Sequence, residues 1–174
     1  MSFLQRLFGR TDRRRTYDPL YRAIVAAARD PGWYRDGQVP DTVDGRFDLV
    51  AAVTALVLLR LEAEGEAGRG PSVLVTEIFI EDMDSSLRQI GIGDYVVGKH
   101  VGRMMGALGG RLTALRAARA GEESFAAAAR RNLFHDSPPS EAALAWVAGR
   151  LERLSEKLDA QPVAPLLAGE IPSP

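Results

Sequence analysis

Residues 46–64, RFDLVAAVTALVLLRLEAE, decide the fold. From Leu49 to Leu59 only Thr54 interrupts the apolar run, and Asp48 and Arg60 bound it. A membrane span needs about 20 such residues, so this shorter stretch predicts a buried helix at the centre of a soluble core. A helix that is apolar on every side must be surrounded, and its neighbours should each present one apolar stripe to it.

The flanking sequence supplies those stripes. Tyr17, Leu20, Tyr21, Ile24, Val25 and Ala28 recur at i, i+3, i+4, i+7, i+8 and i+11, with Asp18-Pro19 at the expected start and Asp30-Pro31-Gly32 at the end. A loop through Trp33, Tyr34 and Pro40-Asp41-Thr42 leads into the central helix. Gly65 to Pro71 predicts a flexible connection, and Ser72 a cap for a helix over about 73–90. Gly91-Ile92-Gly93 predicts a turn, after which Asp94 opens a helix lined by Val97, Val101, Met104, Met105, Leu108, Leu112 and Leu115. Gly109-Gly110 leaves one bent helix or two. A short helix follows over Glu122–Leu133. Ser137-Pro138-Pro139-Ser140 starts another, with Leu144, Val147, Ala148, Leu151, Leu154 and Leu158 on one face.

No segment shows convincing period-two alternation, so the expected class is all-α: a single-domain, irregular antiparallel bundle of six to seven helices. Residues 1–16 form a basic amphipathic segment, 17–160 the helical domain, and 161–174 a Pro-rich tail, extended or disordered.

Composition removes several functional classes. With 46% hydrophobic and 26% charged residues, the 174-residue chain is an ordinary globular one. Its net charge of -1 argues against bulk capture of DNA or RNA. Having no cysteine excludes disulfides, thiolate metal sites and thiol nucleophiles. No Gly-x-Ser-x-Gly elbow occurs, and Gly91-x-Gly93 lacks the third glycine and the preceding strand of a dinucleotide site. His100 and His135 read as structural, and no catalytic residue or cofactor is expected.

Three carboxylates, Glu77, Glu81 and Asp84, share one helical face at i, i+4 and i+7. A divalent cation, a solvated surface or a protein partner could each answer their repulsion. A helical metal site of the carboxylate-bridged kind also needs Glu-x-x-His pairs, which neither histidine provides. Met83, Met104 and Met105 fit either an adaptable groove or the core. At the N-terminus, Phe3, Leu4, Leu7 and Phe8 fall on one side of a short helix. Five arginines, including Arg13 and Arg14, stand there against one aspartate. That pattern fits an interfacial membrane anchor or a terminus docked on the body.

The order of motifs carries a family resemblance. Tyr17 to Arg29, Trp33-Tyr34, Pro40-Asp41-Thr42 and Gly45-Arg46-Phe47-Asp48-Leu49 come first. Glu77 to Asp84 and Leu87 to Asp94 follow, then Val97-Gly98-Lys99, Gly110-Arg111 and Arg131-Asn132-Leu133-Phe134. Over about residues 17–155 this resembles the ubiquinol-cytochrome c chaperone family. The resemblance implies an all-helical, non-enzymatic assembly factor that binds newly made cytochrome b before the ubiquinol-cytochrome c reductase matures. Mitochondrial members also work with a small partner protein and at the ribosome, a role that need not carry over. The short length and the lack of a presequence imply a bacterial member, cytoplasmic and peripheral on the inner face of the plasma membrane. Many members carry a histidine in the central helix near the position of Val53-Thr54, so a function resting on it does not extend here.

Residues and resemblance meet at the acidic, glycine and basic stretch 76–103. Glu77, Asp82, Asp84, Arg88, Asp94, Lys99 and Arg103 are expected at or beside a partner surface, although Arg88 could bridge Asp84 and Asp94 could serve its own helix N-terminus. Rival expectations are a metal-dependent helical enzyme using the 77–84 carboxylates, and a scaffold for another soluble protein.

Overall fold

Thr42 starts the central helix: its side-chain oxygen accepts from the Gly45 N–H at 3.1 Å, and α3 runs over Val43–Glu62. In this computed structural model, which describes residues 3–89, 97–135 and 137–173 and the side chains of 16–86, 102–135 and 137–173, every residue from Asp48 to Leu61 is buried. Leu49, Val50, Val53, Leu56, Val57, Leu58, Leu59 and Leu61 all enter the core. Each such side chain gains about 1.5–3 kcal/mol on leaving water, which holds this helix at the centre.

Its neighbours are the other long helices: α1 (Phe3–Ala28), α4 (Glu66–Gln89), α5 (Val97–Arg119) and α7 (Glu141–Ala160). Short pieces complete the fold: α2 (Gly32–Arg35), α6 (Phe125–Ala129), which continues as a π-helical turn at Arg130–Phe134, and α8 (Val163–Leu167). The described residues contain no strand, and the protein is an all-α single domain.

Several boundaries differ from expectation. Asp18-Pro19 does not start α1 but lies inside it, because proline removes one N–H while keeping a helical φ. Leu20, Tyr21, Ile24 and Ala28 then anchor the following turns in the core. The stretch Gly65–Pro71 is no flexible connection, since α4 begins at Glu66 and only residues 63–65 turn, with Gly65 at φ +61. Gly68 admits this tight corner: a Cβ there would lie 1.8 Å from the Leu61 carbonyl oxygen. Ser72, expected as a cap, instead donates its hydroxyl to the Gly68 carbonyl at 2.8 Å. The helix α5 passes through Gly109-Gly110 as one element. The turn at Gly91-Ile92-Gly93 lies outside the described residues.

The tail is docked, not free. Leu166 is fully buried, and the Gln161 side-chain amide donates to the Glu170 carbonyl at 2.6 Å. Lys157 Nζ donates to the Ser173 carbonyl at 2.8 Å. Gly169, at φ +94, lets the chain press against Pro19 of α1. One apolar anchor with glycine's freedom thus outweighs the four prolines that suggested an arm.

Asp48 and Arg60, which limit the apolar run in sequence, are themselves buried. Arg60 reaches the end of α7, its Nε donating to the Leu158 carbonyl at 2.9 Å and its Nη2 to the Gln161 carbonyl at 3.0 Å. Arg60 thus adds a charged donor to the Leu158 carbonyl, which also accepts the Gln161 N–H at 3.3 Å, and supplies one to the Gln161 carbonyl at the helix end. Thr54 is the contrary case, a fully buried hydroxyl with no hydrogen-bond partner among the described residues. Thr54→Val keeps the shape and removes that oxygen, so it is expected to raise stability by about 1 kcal/mol, read as a higher urea midpoint at unchanged m-value. A lowered midpoint would show that the hydroxyl is satisfied.

Candidate functional site

The acidic residues of α4 divide into two roles. Asp82 accepts the Tyr21 hydroxyl hydrogen at 2.8 Å, tying α4 to α1. Burial, followed by the neighbouring Asp82 charge, pushes the Tyr21 hydroxyl far above its ordinary pKa, so it stays a donor. Glu77 and Asp84 are half-buried and Glu81 is exposed. Asp18 and Arg22 of α1, Arg29 in the turn after it, and Ile78, Glu81 and Asp82 of α4 line a shallow groove of about 470 Å³. Arg22 and Arg29 therefore share this groove with Glu81 and Asp82, which answers part of the repulsion that the spacing on α4 predicts. Among the described residues, no three His, Asp or Glu side chains come together as a metal site.

Arg103 lies exposed on α5, beside exposed Gly102 and Gly106. Beyond the helix's own backbone and the chain neighbours, no atom of the described residues lies within 4 Å of where a Cβ would stand on either glycine, so among those residues this part of the helix is open. Met105 is 42% exposed on the same helix, whereas Met83 and Met104 belong to the core. A groove of three methionines is therefore not formed. Arg88, Asp94 and Lys99 fall where side chains are not described, as do His100 and the N-terminal Phe3, Leu4, Leu7, Phe8, Arg13 and Arg14. The structure thus places Glu77, Asp82 and Asp84 together on α4 and Arg103 on α5.

Two polar clusters were not singled out from sequence. In the first, the Arg111 guanidinium meets Asp48 inside the protein and also donates to the carbonyls of Asn132 at 2.7 Å and Ala107 at 2.9 Å. Arg111 Nε has no partner among the described residues. His135 closes the cluster, with Nε2 at 2.8 Å from the second Asp48 oxygen and a backbone φ of 39°. Burial raises the Asp48 carboxyl pKa, against the opposing pull of Arg111 and His135. The cluster binds α3, α5 and the π-helical turn to one another. Its signal in sequence was the coincidence of three separate motifs, Gly45 to Leu49, Gly110-Arg111 and Arg131 to Phe134.

The second cluster is built on Arg150. Its guanidinium lies over the rings of Trp33 and Trp146, at 4.6 and 4.9 Å from their centroids, and pairs with Asp30 at 2.9 Å. Burial alone would raise the Asp30 carboxyl, but the Gly32 N–H and Arg150 outweigh it and hold the pKa below the usual value.

An all-α protein with a fully enclosed apolar helix, internal charge clusters and charged outer helix faces is the class these features define. The chain belongs to the ubiquinol-cytochrome c chaperone family, whose model matches residues 35–173. The matched span takes in the docked tail and begins after α1, whereas the motifs quoted from sequence ran over about 17–155. A crystal structure of the Cbp3 homolog from Brucella abortus is similar at a TM-score of 0.80 and 30% identity, over 98% of this chain and 96% of that one. Comparison with curated proteins finds no match.

Proposed function

We propose that this ubiquinol-cytochrome c chaperone binds newly made cytochrome b and holds it until the reductase assembles, by contact alone and without covalent chemistry. Family membership together with a whole-chain likeness to the Brucella protein carries the reading. The contact surface comprises Glu77, Asp82, Asp84, Arg88, Asp94, Lys99 and Arg103 on and between α4 and α5. Fixed charges there would orient polar loops of the client, and the open face near Gly102, Gly106 and Met105 would admit an apolar segment.

The protein acts at the cytoplasmic side of the inner membrane, attached peripherally through its N-terminal segment. The described helices include none long and apolar enough to cross a membrane. The continuous helical backbone from Phe3 supports an interfacial contact, because positions 3, 4, 7 and 8 share one side of it. Phe3, Leu4, Leu7 and Phe8 would enter the interface, with Arg13 and Arg14 meeting anionic headgroups.

Deleting the gene in its host is expected to lower the haem b absorbance of membranes and the level of mature reductase. Normal levels would reject the client assignment. Removing residues 2–15 should shift the protein from membrane to soluble fractions at low salt, and an unchanged distribution would reject the anchor.

A further inference from the structure

The ends of α3 and α5 and the last turns of α7 line an open cleft of about 590 Å³ that shares no residue with the groove between α1 and α4. Leu59 and Phe125 give it an apolar wall. Two ion pairs cross its rim, Arg116 with Glu62 and Arg119 with Asp159, each at 2.7 Å. Glu152 and Glu156 also line it, one turn apart on α7, both exposed and without an ion-pair partner among the described residues. Four carboxylates against two guanidinium groups leave two negative charges uncompensated, and the carbonyl ends of α3 and α5 add partial negative charge. No three of these carboxylates converge as a metal site, so the complement is a cationic chain and not a bare ion.

We propose that this cleft receives a lysine- or arginine-bearing cytoplasmic loop of an integral membrane client. The cytoplasmic loops of such proteins are enriched in lysine and arginine, and they are what a protein on that side of the membrane meets first. The cleft is open and mixed in polarity. It therefore suits a polar loop with a small apolar side chain, whereas a spanning helix would need a long apolar trough. The inference rests on the client-binding reading above and adds which part of the client is held.

The test uses the full-length chain and a short fluorescent peptide rich in lysine and leucine, with a glutamate counterpart as control, followed by anisotropy at low and physiological salt. The lysine peptide should bind in a salt-sensitive manner, and Glu152→Gln with Glu156→Gln should weaken it about tenfold or more. Asp44→Asn with Glu170→Gln, exposed carboxylates that do not line the cleft, should weaken it far less. Circular dichroism confirms that the variants stay folded, as expected for exposed side chains. Equal weakening by both pairs means diffuse attraction and overturns the inference, as does no effect of the first pair. In cells, Glu152→Lys with Glu156→Lys should reduce co-isolation of the membrane client. If the wild-type chain retains the client and the reversed one retains it equally, the chaperone reading stands and the cleft assignment falls. If gene deletion leaves the reductase normal, the client reading falls and takes this inference with it.

Discussion

Replacing Arg111 by alanine is expected to lower stability by about 3–5 kcal/mol, because it leaves a buried carboxylate without its partner. Asp48 is 5% exposed and Arg111 4%, so water cannot substitute for either. The variant would also strip a donor from the carbonyls of Asn132 and Ala107, loosening the π-helical turn from α5. His135 alone cannot compensate, since it balances the Asp48 charge only when protonated and its side chain is 55% exposed. Asp48→Ala should cost a similar amount by stranding the guanidinium. Changing both residues together, Asp48→Leu with Arg111→Met, should recover most of the loss, since the desolvation cost of both charges disappears with them. Urea unfolding followed by circular dichroism measures all three. A single-variant loss below about 1 kcal/mol would contradict the pairing inside the protein.

Trp33→Ala should produce a loss of similar size, about 3–5 kcal/mol. Trp33 is fully buried, donates its indole N–H to the Ala27 carbonyl at 2.9 Å, and meets Trp146 edge-on at 86° with ring centroids 5.9 Å apart. Removing it opens a cavity beneath Arg150 and takes away one of the two rings that hold the guanidinium. Trp33→Phe keeps most of the volume and loses the N–H, so it should cost about 1–2 kcal/mol. The chain has only these two tryptophans, and in either variant Trp146 becomes the sole reporter. Its emission should shift to the red in Trp33→Ala as water enters, and remain near its starting wavelength in Trp33→Phe. An unshifted spectrum with a small stability loss would show that the neighbouring helices close over the gap.

The helical class and the central element were legible because the 49–59 run has too many apolar residues for any position but the middle of a helical core. The stripes of α1, α5 and α7 followed from the 3.6-residue period. Breaker residues were misleading wherever tertiary contacts overruled them. Pro19 and Pro71 sit inside helices, and Gly68 marks a close approach to the Leu61 carbonyl, not a flexible joint. The same holds for the tail, where four prolines outweighed Leu166 in the sequence reading.

Charge was the least legible property. Glu77, Glu81 and Asp84 were recognised as a set by spacing, yet only the folded chain shows the neighbouring Asp82 bound to Tyr21, with Arg22 and Arg29 lining the same groove. Asp48 and Arg111 lie 63 residues apart, and a charged side chain in sequence carries no mark of whether it will face water or another charge.

Local patterning by itself determined that the chain is helical, which stretch lies at its centre, and which motif order links it to its family. Those properties depend on interactions within a few turns, where period and composition are direct physical signals. The buried Asp48–Arg111 pair, the aromatic cradle of Arg150, the docked tail and the acidic cleft were decided only by tertiary structure. Each joins residues distant in the chain, and its energy exists only once packing has excluded water between them.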